Sequence, residues 1–560
     1  MHDNRHPKVE QRIQAMTDKG WWGEETLSDL FAQAVTAQGE RVALVDQPNR
    51  EALDGAAPKR WTFNQLSDEV DVCARALAKL GVGRGDAVVV QLPNIAEFVM
   101  LYLALARLGA VISPVPVQYG RHELGLIAEA LNPVMFIGLT QFQGKDAAQA
   151  PKAVQFKHYV WLGPKGGADD VMLAEVMDES RGDEETPAVN SMANDIMTVC
   201  WTSGTTGTPK GVPRTHNHWM AIAPATYESS KMAHGDVLLN PFPFVNMASI
   251  GGFLLNWLRC EGTLVLHHPL DLPVFLGQIP SEGVTFTIAP PALLNMLLRN
   301  DELMSQFDLS KLRCIASGSA PLSPWMVQGF ADKYNIGVVN LFGSNEGVSL
   351  VSGLEDIPDP ELRASYFPRF GVEGIEWQAS LASKLKTRLR DIATGDIITE
   401  VGKPGELEIT GPTVFDHYLG DGPDNFDVFS EDGYFKTGDL FEIAGDDDPP
   451  RFYRFVGRSK EIIIRGGYNI SPDELDALLA AHPKLVEAAT VGYPDDDLGE
   501  RVCVFVVPKP DHEVTLEDIT GFLREQGLAV FKLPERIEFI DALPRNALTK
   551  VVRGQLRERL

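Results

Sequence analysis

Between Thr62 and Leu80 apolar side chains recur by four and three, at Leu66, Val70, Cys73, Leu77 and Leu80, and that spacing predicts an amphipathic helix. Thr62 and Gln65 have the spacing of a capping box, and Gly81 supplies a stop. The chain then passes through GVGRGD into the continuous apolar run AVVVQL, another helical pattern from about Ile95, and the strand-like AVISPVPV. Helix and strand signals in alternation predict α/β layering for the large N-terminal part. The stretch from Gly163 to Asn190, rich in Gly, Asp and Glu, reads as an exposed excursion or linker. A second seam falls in RFYRFVGRSKEIIIRGGYNISPDELDALL, where strand, turn and helix follow in quick order. Ser471, Pro472 and Glu474 suit the N-cap, first-turn and capping-box positions of that helix, with Leu475, Leu478 and Leu479 as its buried stripe. The expected architecture is therefore α/β and α+β, with a large N-terminal domain over residues 1–458 and a small α+β domain over 459–560.

Composition narrows the partners. The 560 residues are 44% apolar, ample for more than one core. The 77 acidic residues outnumber 50 basic ones, a net charge of −27 that as a whole repels nucleic acid and anionic membranes and points to small-molecule ligands. Cys73, Cys200, Cys260, Cys314 and Cys503 lack CxxC or metal-ligand spacing, as expected of reduced, packed thiols. The first 20 residues carry no apolar core of a secretory signal, and the most apolar later run is broken by Arg107 and two prolines, so no membrane insertion and a cytoplasmic location are expected. Oligomeric state is not legible.

The main chemical signal is TVCWTSGTTGTPKGV, an apolar run followed by a loop of three glycines, five hydroxyl residues and Lys210. Backbone N–H groups, hydroxyls and an ammonium in one loop suit phosphate oxygens. A Walker A loop is excluded: counted from Gly204, its second glycine falls on Pro209, and Gly211 stands where Ser or Thr must follow the lysine.

TSGTTGTPKG resembles the signature of the adenylate-forming superfamily of acyl-CoA synthetases, aryl-acid AMP ligases, luciferases and peptide-synthetase adenylation domains. The resemblance continues in order from about Trp61 to Leu560. It implies a large N-terminal domain of sheets packed with helices and a mobile C-terminal domain of about a hundred residues. ATP, magnesium and coenzyme A are the implied cofactors, and a carboxylic acid the implied substrate. By this resemblance Thr202, Ser203, Gly204, Thr205, Thr206 and Gly207 cradle phosphate, with Lys210 as a charge-stabilising group. NLFGSNEG is similar to the second hallmark: Asn340, Phe342, Gly343, Ser344 and Asn345 border the nucleotide, Phe342 lies against adenine, and Glu346 holds the metal. Asn345 replaces the commoner Thr, which puts one phosphate hydrogen bond in doubt. GSAPL places Gly318, Ser319 and Ala320 between adenine and the acyl pocket, while Asp439 and Arg458 hold the ribose. Lys460 aligns with the hinge, Gly466 and Gly467 with the coenzyme A channel, and Lys550 with the catalytic lysine, where Thr549 replaces the usual Gly.

The opening MTDKGWWGEETLSDLF and the string FGSNEG look closest to the subgroup of dihydroxybenzoate-AMP ligases and alicyclic or medium-chain acyl-CoA ligases. Ungapped placement of PFPFVNMASIGG puts Phe244, Val245 and Met247 in the acyl pocket with Gly318 and Gly343; a slip of one or two residues would bring in Asn246. Val245 cannot hydrogen-bond a ring hydroxyl, so an aliphatic, alicyclic or plain aromatic acid is expected. Coenzyme A is the favoured acceptor. A carrier protein is the alternative, and a non-catalytic nucleotide-binding homologue the remaining one.

Overall fold

The computed structural model describes residues 6–183, 185, 187–202, 209–420, 425–465, 468–495, 497–546 and 550–560. Among them the helix predicted after Thr62 spans Phe63–Lys79, with Thr62 and Gln65 satisfying each other's backbone N–H groups in a reciprocal box. Apolar runs bounded by turns form the strands Ala87–Gln91 and Val111–Pro114, and between them lies the helix Ala96–Leu108. That helix is apolar on nearly every face because helices Leu27–Gln38 and Phe63–Lys79 and the strand Val111–Pro114 all cover it.

The predicted excursion at 163–190 is corrected in part. Leu173–Ser180 is a helix whose Leu173 and Met177 are buried, and it packs on the helix Phe63–Lys79. One turn of apolar spacing was enough to dock it, although Gly, Asp and Glu dominate its surroundings.

An eight-stranded sheet runs in the order Ser349–Ser352, Gly337–Gly343, Cys314–Gly318, Phe286–Ile288, Val237–Asn240, Thr263–Leu266, Val42–Val45, Arg60–Thr62, parallel except at its two edges. A six-stranded sheet carries the hairpin Ile196–Thr202/Lys210–Thr215 at one edge, and an antiparallel six-stranded sheet includes Phe435–Ala444 and Phe452–Arg458. The C-terminal residues build a further sheet around Leu485–Asp495 and Gly499–Pro508, with its own apolar core under the helices Pro472–Leu479 and Leu516–Glu525. The class is mixed α/β with a smaller C-terminal α+β unit. Ser471 caps the helix Pro472–Leu479 as expected, but Glu474 pairs with Lys532 (2.7 Å) across the C-terminal unit.

All five cysteines are buried and free. No helix among the described residues is long and apolar enough to cross a membrane.

Leu101 has no exposed surface. Leu101→Ala is expected to cost ~2–5 kcal/mol of stability through the cavity it leaves, whereas Val486→Ala, at an exposed position, stays within about 0.5 kcal/mol. Denaturant unfolding of the two variants beside the wild type checks this difference.

Candidate functional site

Thr202, Gly318, Gly343 and Arg458, all singled out in the sequence, sit where strands end, which is where open α/β sheets present ligand sites. Lys210 pairs with Thr202 across the hairpin, at the two ends of the string predicted to take phosphate. Ser203, Gly204, Thr205, Thr206 and Gly207 lie outside the described residues, as do Gly466, Gly467 and Thr549. Lys210 is exposed, and its ammonium rests 4.8 Å from the ring centre of Tyr418.

Gly318 closes the strand Cys314–Gly318 beside Leu341. A Cβ on Gly318 would lie 2.2 Å from the Leu341 carbonyl oxygen, so only glycine allows the two strands to meet there. Ser319 follows in left-handed backbone (φ +72°), and Ser319 and Ala320 are exposed. Gly343 is also constrained, since a Cβ would lie 2.8 Å from the Val348 carbonyl oxygen, as well as against the Met247 methyl. The half-buried Phe342 packs among Phe367, Phe441 and Phe455. Asn340 is buried and gives its side-chain amide to the carbonyls of Arg363 and Ala364, so it anchors the strand from behind.

Ser344 Oγ is buried with no hydrogen-bond partner among the described residues. Asn345, where a Thr was the commoner choice, has its side chain committed within the protein. Its Oδ1 accepts from Met247 N (2.9 Å) and its Nδ2 donates to the Trp201 carbonyl (3.4 Å). One amide thus ties the end of the strand before the phosphate loop to the segment predicted to meet the acid.

Glu346 is largely buried, and its Oε1 accepts from the Tyr418 hydroxyl (2.8 Å). Burial raises the Tyr418 pKa, with the Glu346 charge adding, so the phenol keeps its proton and stays a donor. Main-chain bonds from Phe415 N to the Glu346 carbonyl and from Leu419 N to the Gly211 carbonyl, both 2.8 Å, fix the Tyr418 segment between the two motifs. Sequence reasoning missed Tyr418, Arg12, Trp22 and Arg214. Only Trp22 had a signal, in the string GWW.

No cluster of three or more His, Cys, Asp or Glu side chains suited to a metal occurs among the described residues. A single carboxylate such as Glu346 nevertheless fits magnesium, which keeps waters and takes its remaining oxygens from substrate phosphates.

Asp439 and Arg458 face each other on adjacent strands, 3.4 Å apart. Burial raises the Asp439 pKa to about 6, against the opposing pull of Arg458 and Lys550. Lys550 keeps an exposed side chain, yet crowding around its ammonium lowers its pKa, Arg458 adds to this, and Asp439, Glu346 and Glu461 pull it back. The C-terminal unit therefore brings Lys550 within electrostatic reach of both Glu346 and Asp439. Lys460 is an exposed residue of the turn between the strands Phe452–Arg458 and Ile463–Arg465.

Phe244 shows no accessible surface; its ring packs on Phe98 and Tyr102. Val245 is 4% exposed. Asn246 caps a short helix by accepting from Ser249 N, and Met247 is half-buried against Gly343. An open groove of about 420 Å³, lined in part by Leu30, Ala34, Tyr227 and Leu258, lies apart and contains none of these residues.

The family model described as AMP-binding enzyme matches residues 31–419, and that of the AMP-binding enzyme C-terminal domain matches 474–550. The chain is 28% identical to the 2,3-dihydroxybenzoate-AMP ligase of Bacillus subtilis, covering 99% of this chain and 97% of that protein. It is also 28% identical to the medium-chain fatty-acid–CoA ligase of Escherichia coli, covering 98% and 93%. The structure of ATP-bound MatB from Rhodopseudomonas palustris aligns with a TM-score of 0.77 at 26% identity, over 95% of this chain and 98% of that one.

The raised pKa of Asp439 has a defined sign. Between about 6 and 3.8 the folded chain holds a proton that the unfolded chain releases, so folding takes up a proton in that window. Stability of the wild type relative to Asp439→Asn is therefore expected to rise as pH falls through about 6. Thermal unfolding of both proteins across that window reads the difference directly.

Proposed function

The chain belongs to the AMP-binding enzyme family of adenylate-forming ligases, and from that premise we propose that it is an ATP-dependent carboxylic acid:CoA ligase. What supports the proposal is that Lys550 of the C-terminal unit feels the charges of Glu346 and Asp439 in the large one, in a chain that matches the family models over residues 31–419 and 474–550. Those are the charges needed to make an acyl-adenylate.

In the first step a carboxylate oxygen of the acid attacks the α-phosphorus of ATP and the bond to pyrophosphate breaks. Lys210 and Lys550 stabilise the negative charge that spreads over the phosphate oxygens, together with the loop hydroxyls of Thr202, Ser203, Thr205 and Thr206. Glu346 would hold magnesium, which supplies further charge neutralisation on the triphosphate. Phe342 presents a ring to adenine, Gly318, Ser319 and Ala320 form the floor between base and acid, and Asp439 accepts from the ribose hydroxyls with Arg458 beside it. In the second step the C-terminal unit turns about Lys460, Lys550 withdraws, and Gly466 and Gly467 line the approach of the thiol. The coenzyme A thiolate attacks the acyl carbonyl and AMP leaves.

The acid is aliphatic, alicyclic or plain aromatic on this reading, because Val245 offers no hydrogen bond to a ring hydroxyl and Met247 against Gly343 is apolar. The equal identity to a 2,3-dihydroxybenzoate-AMP ligase favours one second reading, transfer to a carrier-protein phosphopantetheine. Purified protein with ATP, magnesium and a mixed pool of carboxylic acids, given coenzyme A or holo-carrier proteins and read by mass spectrometry, separates the two by the thioester formed.

Lys550→Ala is expected to slow acyl-AMP formation about a hundredfold or more, the loss of a donor worth ~3 kcal/mol in the transition state. Given presynthesised acyl-AMP of its own substrate, the variant should form the thioester at a rate near wild type. Equal slowing of both half-reactions would contradict the two-arrangement reading.

A further inference from the structure

Residues Gly411–Phe415 run beside Glu346 without a strand partner, and five successive carbonyl oxygens on that run are each met by a side chain. Arg12 Nη2 donates to Gly411 O (2.8 Å) and Val414 O (2.5 Å), and Arg12 Nη1 to Phe415 O (2.7 Å). Trp22 Nε1 donates to Pro412 O (3.1 Å), and Arg214 Nη2 to Thr413 O (3.0 Å). Arg12 also pairs with Asp416 (2.7 Å) and lies over the Trp22 ring. Unpaired buried carbonyls are costly, and charged donors in a rigid fork satisfy them best.

Two of these three donors come from the first 22 residues. Arg12 sits on the helix Pro7–Asp18, and both Arg12 and Trp22 precede residue 31, where the family match begins. The segment they hold continues to Tyr418, whose hydroxyl engages Glu346 (2.8 Å) and whose ring carries the Lys210 ammonium. A carboxylate meeting a hard cation through one oxygen needs its other oxygen fixed, or it loses rotational freedom on binding.

We propose that the N-terminal segment is the outer brace of the metal-site glutamate: Arg12 and Trp22 lock the Gly411–Phe415 carbonyls, and the locked segment holds Tyr418 on Glu346. Arg12, Trp22 and Tyr418 are positioning residues, and the proposal rests on the reading of Glu346 as the magnesium ligand. The brace acts on the metal-bound nucleotide and leaves binding of metal-free ATP to other parts of the cleft.

The test measures binding of ATP to the full chain by calorimetry, once with Mn²⁺ and once with EDTA, alongside the Mn²⁺ electron paramagnetic resonance signal. Tyr418→Phe is expected to weaken Mn²⁺–ATP binding about tenfold, the loss of one hydrogen bond to a charged group, and to change metal-free ATP binding less than about twofold. Arg12→Met should weaken Mn²⁺–ATP to a similar degree, Arg12→Lys should restore part of the affinity, and the Arg12→Met/Tyr418→Phe pair should be no weaker than Tyr418→Phe alone. If Arg12→Met does not fold, Trp22→Phe, which removes the indole donor and keeps an aromatic ring, takes its place in the same cycle. Additive losses in the double variant, or equal weakening with and without metal, would overturn the brace. Glu346→Gln separates the premises: if it leaves Mn²⁺–ATP affinity unchanged, the metal reading fails, and if it weakens binding while Tyr418→Phe does not, the brace alone fails.

Discussion

Backbone carbonyls with no sheet to join set the central constraint of this molecule. The segment Gly411–Phe415 must pass between the phosphate-loop hairpin and the Glu346 turn, and side chains rather than strands satisfy it. Arg214 enters from the large domain and also donates to the Asn345 carbonyl (2.9 Å), so one guanidinium joins both walls of the cleft. Burial lowers its pKa to about 10, which leaves it charged at neutral pH. The approach is so close that a Cβ on Gly347 would stand 1.9 Å from the Thr413 carbonyl oxygen, and Gly347 adopts φ +97°. A side chain there would push the run away from Glu346.

Around that frame the cleft balances charges of both signs. Glu346 and Asp439 draw Lys550 in from the C-terminal unit, while Arg458 repels it. Elsewhere the C-terminal unit is held by stronger ties of its own. Arg553 joins Glu461, Asp473 and Asp476, which ties the turn after Arg458, the following helix and the C-terminal stretch together. From the large domain, Arg299 donates to the Ala480 carbonyl (3.2 Å), an exposed contact that adds little to the docking.

What the sequence revealed depended on how local the cause was. The Thr62–Gln65 box and the stripe after it are interactions within one helix, and they were legible as such. The helix Leu173–Ser180 was hidden because its single apolar turn sits among residues that favour loops. The motif strings fall on strand ends at Thr202, Gly318, Gly343 and Arg458, since tight turns and close backbone approaches demand particular residues. The bracing of Glu346 was invisible, because Arg12 and Phe415 are 403 positions apart and nothing local marks either. PFPFV shows the same limit on a smaller scale: a continuous apolar string cannot tell Phe244, packed on Phe98 and Tyr102, from a residue facing a ligand. Asn345 put one phosphate hydrogen bond in doubt, and nothing in the string showed that its amide has two partners within the protein.

The central claim is that this cleft activates a carboxylic acid by joining it to AMP, before any thiol takes part. Exchange of labelled pyrophosphate into ATP measures that step alone. The account predicts exchange that requires a carboxylic acid and a divalent cation and proceeds without coenzyme A or a carrier protein. ATP binding with no exchange across a broad acid panel, or exchange that appears only when a thiol acceptor is added, would contradict it.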